Sequence, residues 1–103
     1  MAYRYEFLEA AARDLFKLTR HNQPLLHALV TEHIPAILKH PLVEDNPKKG
    51  PLAGLRAYDL MVKSVSYRLV YAVREDLITF VAIGPHDEAY ARATRRQKGQ
   101  GRR

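Results

Sequence analysis

Arg68 stands in the middle of an apolar run, Ser66-Tyr67-Arg68-Leu69-Val70-Tyr71-Ala72-Val73-Arg74. Such a run reads as a strand. Its period-2 alternation puts Tyr67, Leu69, Tyr71 and Val73 on one face and Ser66, Arg68, Val70 and Ala72 on the other. A guanidinium among apolar neighbours is either paired or used. As a pair, it would meet Asp59 on the adjacent strand or Glu88 further along. As a working group, its planar fork suits a phosphate. A second cluster lies at His86-Asp87-Glu88-Ala89-Tyr90. On a helix beginning at Pro85, His86 and Tyr90 are four residues apart and share a face. Histidine exchanges protons near neutral pH, and tyrosine packs or donates a hydrogen bond. Each is ordinary alone. With Arg68 they suggest phosphoryl chemistry on RNA, which needs an anion stabiliser, a group that takes the 2′-hydroxyl proton and one that protonates the leaving oxygen.

Other chemistries lack their residues. The five histidines, at 21, 27, 33, 40 and 86, are never three or four apart, and no His-Glu-x-x-His occurs. There is no cysteine, hence no disulfide, thiol nucleophile or Cys-bound zinc. Neither a Walker loop, a Gly-x-Gly-x-x-Gly nor a nucleophile elbow is present.

The elements that must position these groups follow from the pattern. Residues 2 to 7, rich in Tyr and Phe, read as a first strand. From Glu9 to Arg20, Leu8, Ala11, Ala12, Leu15 and Leu18 form one helical stripe. Asn22 is placed to cap a second helix, with Pro24 in its first turn. The apolar face Leu25, Leu26, Leu29, Val30, Ile34, Ile37, Leu38 continues that helix, and Pro35 should kink or split it near His33. Prolines and glycines from 40 to 54 predict a long loop. Three strands follow, Leu55 to Lys63, Ser66 to Arg74 and Leu77 to Ile83, joined by short turns at Ser64-Val65 and Glu75-Asp76. Asp87 to Arg96 reads as a closing helix, acidic at its start and basic at its end.

The order predicts an α+β fold: an N-terminal helical hairpin packed on a four-stranded, mainly antiparallel sheet, with a short C-terminal helix. The first strand can pair with the last in parallel. At 103 residues the chain is one small domain. Seventeen Lys+Arg against 11 Asp+Glu give a net charge of +6. Five of the bases lie in 95–103 with no acid, and without them the net charge is +1. The reading is therefore a domain over 1–96 and a basic, flexible tail over 97–103. No apolar run reaches the ~18 residues of a membrane span, and the N-terminus lacks the apolar core of a signal peptide. The protein is expected to be soluble and cytoplasmic.

Pro51-Leu52-Ala53-Gly54-Leu55-Arg56-Ala57-Tyr58, then Tyr67-Arg68-Leu69-Val70-Tyr71-Ala72-Val73, then His86-Asp87-Glu88-Ala89-Tyr90 resemble the RelE/ParE superfamily of bacterial toxins. The likeness in order and spacing runs from about residue 3 to residue 96. It implies the toxin of a type II toxin–antitoxin system. RelE-like members cut mRNA in the ribosomal A site by attack of the 2′-oxygen on the adjacent phosphate, with no metal or other cofactor. By this resemblance Arg68 stabilises the phosphate, Tyr90 is the C-terminal active-site aromatic, and His86 is a candidate acid or base. It also implies an antitoxin that wraps and neutralises the toxin, ribosome and mRNA as targets, no membrane partner, and a free toxin that is a monomer or weak dimer.

One departure stands out. Where some RelE members carry two lysines, this chain has Asp59 and Met61, so Asp59 joins His86 as a candidate proton carrier. Lys48, Lys49, Arg56, Lys63, Arg92, Arg95 and Arg96 are candidates to hold ribosomal or messenger phosphates. Two alternatives remain: the ParE branch, which targets DNA gyrase without cutting RNA, and a non-catalytic RNA-binding module using Lys48, Lys49 and the tail.

Overall fold

A computed structural model describes residues 3–42, 46–47 and 54–100, without the side chains of 46, 47, 86 and 97–100. The elements are β1 (Arg4–Phe7), α1 (Glu9–Thr19), α2 (Gln23–Ala28), a π-helical turn (Leu29–His33), α3 (Ile34–Lys39), β2 (Asn46–Pro47), β3 (Arg56–Val62), β4 (Val65–Arg74), β5 (Leu77–Pro85) and α4 (His86–Gln100). The sheet order is β1-β5-β4-β3-β2. β1 runs parallel to β5, and the other pairs are antiparallel. This is the expected α+β architecture, with a two-residue edge strand, Asn46–Pro47, where the sequence predicted only loop. The closing helix runs four residues past Arg96, so its end falls within the expected tail.

Local chemistry sets the element ends. The Asn22 side chain accepts from the Leu25 N–H at 3.2 Å and caps α2. Pro35 has no N–H to give to the turn before it. The helix widens there, and the Ile34 N–H reaches back five residues to the Leu29 carbonyl. Lys63 (φ 51°) and Ser64 (φ 69°) both lie in the left-handed region, as a two-residue hairpin turn of the primed type requires. The turn is thus one residue earlier than the predicted Ser64-Val65.

The two faces of the sheet carry separate cores. Tyr67, Leu69, Tyr71, Ile78, Phe80 and Ile83 pack under the helical hairpin with Leu25, Leu29 and Ile37. Val70, Val81, Ala82 and Leu55 pack under α4 with Ala89 and Ala93. A bulge in β5 makes this division possible. Val70 faces Ala82, but Tyr71 faces Phe80, leaving Val81 as the extra residue. That insertion lets Phe80 and Ile83 share one face although they stand three positions apart.

Phe80 is fully buried and meets Phe7, Tyr5 and Tyr71 at ring-centre distances of 4.8, 6.0 and 6.1 Å. Phe80→Ala is expected to destabilise the fold by about 3–5 kcal/mol, read as a lower urea midpoint at unchanged slope.

Arg4 bonds Asp76 at 3.1 and 3.3 Å, joining β1 to the β4–β5 turn. That hydrogen bond draws the Asp76 carboxyl below its ordinary value. Any stability it contributes is present above the unfolded pKa and lost as pH falls through the folded one. Both groups are exposed, so the contribution is small. Arg4→Gln should return Asp76 to ordinary aspartate titration, as followed by carbonyl NMR.

Among the described residues, no helix is long and apolar enough to cross a membrane.

Candidate active site

The β3–β4 register sets Asp59 directly opposite Arg68. Both project from the face that α4 covers, since Ala57–Val70 and Asp59–Arg68 alternate with the pairs packed under the hairpin. Arg68 Nε donates to Asp59 Oδ1 at 2.6 Å, and Arg68 Nη2 donates to Oδ2 at 3.2 Å. This is the bidentate fork geometry of the strongest arginine–carboxylate pairs. The Arg68 side chain is 7 % exposed and that of Asp59 61 %. A buried cation is therefore tied to a carboxylate that reaches solvent.

Tyr90, on the second turn of α4, closes the site from above. Arg68 Cζ lies 4.8 Å from its ring centre, within cation–π range. The hydrogen bond that Arg68 donates to Asp59 raises the Arg68 pKa above the ordinary arginine value, outweighing the opposing effect of burial. The guanidinium stays charged across the working pH range. Met61, two residues beyond Asp59 on the same strand face, is exposed.

Gly84 is the β5 residue opposite Arg68. A Cβ there would lie 2.9 Å from Arg92 Nη1, so the missing side chain gives Arg92 its path beneath α4.

The structure thus brings together Arg68, Asp59 and Tyr90. The His86 backbone opens α4, four residues before Tyr90; its side chain is outside those described, as are Lys48 and Lys49 entirely. The remaining basic candidates do not gather around Arg68. Arg56 lies on the strand face of Tyr58 and Leu60, which pack under the helical hairpin. Lys63 sits in the β3–β4 turn, and Arg95 is exposed on α4. Arg92 and Arg96 are engaged internally. Arg96 donates to both Asp14 oxygens, at 2.7 and 3.1 Å, and to the Val81 carbonyl at 2.8 Å. Arg92 donates to the Ile83 carbonyl at 3.1 Å and to Glu88 at 2.8 Å. These bonds hold both guanidinia within the fold, and a phosphate reaching Arg92 or Arg96 would compete with them.

Sequence reading did not single out Asp14. It is 9 % exposed, whereas Ala12 of the predicted stripe is exposed. The signal was its spacing, three residues after Ala11 and four before Leu18 on the buried side of the helix.

Residues 8–94 match the model of the ParE-like toxin of type II bacterial toxin–antitoxin systems. The chain belongs to that family and is a type II toxin of the RelE/ParE superfamily. Its fold is similar to that of the toxin RelE from E. coli, solved as a double mutant in the free state. That chain is 29 % identical, with 93 % of this chain and 98 % of RelE covered and a TM-score of 0.61. The toxin–antitoxin complex RelBE2 from Mycobacterium tuberculosis contains a chain of the same fold, at a TM-score of 0.68 and 24 % identity, covering 82 % of this chain and 99 % of its own. A conserved hypothetical protein of Helicobacter pylori follows at 26 % identity, 84 % and 97 % coverage and a TM-score of 0.54. No curated protein is a significant match to the chain.

Proposed function

We propose that this toxin inhibits translation as an mRNA endonuclease acting in the ribosomal A site. The observation that carries the reading is the Arg68–Asp59 fork beneath Tyr90. A buried guanidinium, a solvent-facing carboxylate and an aromatic ring meet there, and that combination supports the reading.

In this reading an mRNA phosphate takes the place of Asp59 on the guanidinium. The Asp59 carboxylate, freed toward solvent, accepts the 2′-hydroxyl proton. The 2′-oxygen attacks phosphorus, and charge on the non-bridging oxygens builds against Arg68. The bond from phosphorus to the 5′-oxygen breaks, and His86 gives that oxygen its proton. The products are a 2′,3′-cyclic phosphate and a 5′-hydroxyl. Tyr90 orients the nucleotide. Lys48, Lys49, Lys63 and Arg95 supply phosphate contacts on ribosome or messenger. An antitoxin neutralises the chain, as toxin–antitoxin complexes are recorded for similar folds.

A second reading, gyrase inhibition of the ParE type, is favoured by one observation. Asp59 neutralises Arg68 at a place where, by the resemblance, some RelE members carry lysine.

The experiment uses ribosomes halted on two mRNAs, one with a single 2′-deoxynucleotide before the A-site scissile bond. The all-ribose mRNA should be cut there and the substituted one left whole. Equal cutting of both overturns the 2′-oxygen mechanism. If neither is cut and gyrase supercoiling fails instead, the second reading replaces the first.

A further inference from the structure

β1 ends at Phe7 opposite Phe80, and the Leu8 N–H makes the last bond to the Phe80 carbonyl. Beyond that point, among the described residues, the outer edge of β5 has no strand beside it. Three side chains take the strand's place. The Ile83 N–H donates to Asp14 Oδ2 at 3.3 Å. Arg92 fills the Ile83 carbonyl, and Arg96 fills that of Val81. Asp14 binds both guanidinia, with Arg96 at 2.7 Å and Arg92 at 3.5 Å.

The clasp adds a polar anchor to the packing of α4 on β4 and β5. Among its described side chains the fully buried ones are Ala89 and Ala93, which are small, so the long side chains of Arg92 and Arg96 reach furthest into the fold. Arg92 and Arg96 lie one turn apart, so fixing both to Asp14 fixes the helix's rotation. Tyr90 follows Ala89 by about 100° around the helix, which turns its ring toward β4 and Arg68. A small rotation would move the ring off the guanidinium.

We infer that Asp14, on α1 and across the sheet edge from Arg68, is a positioning residue that holds Tyr90 over Arg68 through Arg92 and Arg96. The catalytic part of this inference rests on the proposed mRNA cleavage; the geometric part does not.

The test is Asp14→Asn in the full chain. Asparagine keeps the size and one oxygen but removes the charge that binds two guanidinia. Two readouts are taken. The first is the ring-current shift that Tyr90 imposes on the Arg68 side-chain protons, measured by NMR. It should collapse while the core resonances of Leu69 and Tyr71 hold. The second is A-site cleavage, with kcat expected to fall about tenfold to a hundredfold and KM to stay within about twofold. An unchanged ring-current shift overturns the inference, whatever happens to the rate. A collapsed shift with unchanged kcat also overturns the catalytic part. If the wild-type chain cuts no mRNA, the functional reading fails, while the NMR shift still decides the geometry. Should Asp14→Asn not fold, Arg96→Gln removes the shortest clasp bonds from the exposed side and is read in the same way.

Discussion

Arg68→Ala is expected to lower mRNA cleavage by at least about a hundredfold while the fold persists. Removing one positioned donor from a site that stabilises developing anionic charge typically costs 10²–10³-fold in kcat. Here the lost group is a full cation, held ready by Asp59 and shielded from water beneath Tyr90. The fold should survive because the partner left behind is solvated: the Asp59 side chain is 61 % exposed, so no carboxylate is stranded in the core. Cleavage rates and a denaturation curve on the same preparation check both halves. A variant that still cuts at the wild-type rate would refute the role given to Arg68.

Asp59→Asn separates two views of the carboxylate by the sign of its effect. As a base, Asp59 contributes by taking a proton, and its loss should lower kcat by about a hundredfold or more. As a mere neutraliser, its loss would free Arg68 and speed cutting. The proposed mechanism predicts the fall in kcat together with a lower KM, because an anion has been removed from an anion-binding groove. Asparagine still accepts one bond from Arg68, so the stability loss should stay within about 1–3 kcal/mol, toward the low end because the pair reaches solvent. Single-turnover cleavage at varied ribosome–mRNA concentration reads both constants. A rise in kcat would contradict the assignment of Asp59 as base.

The parts legible from sequence were those governed by short periods. Alternation in 66–74 separated Arg68 from Tyr67, Leu69 and Tyr71, and the structure keeps that separation. The short turns of the meander brought Asp59 opposite Arg68, one of the two ion-pair partners expected from the strand pattern. The Asn22 cap and the effect of Pro35 are local stereochemistry, and both appear where expected. What sequence did not disclose depends on contacts distant along the chain. Asp14 and Arg96 are 82 residues apart, and nothing in either neighbourhood announces the other. The bulge at Val81 is a matter of register across two strands, invisible in an almost wholly apolar run. Arg92 and Arg96 read as the basic end of a helix and as phosphate-holding candidates, because charge counting does not show which side of a helix meets a bare strand edge.

Primer extension on one defined mRNA in a translation reaction reads the cleavage itself. Wild-type chain and Arg68→Ala are run side by side. New 5′ ends are expected at A-site codons with the wild type and none with Arg68→Ala. Intact mRNA with wild-type chain, or the same cuts with Arg68→Ala, would contradict it.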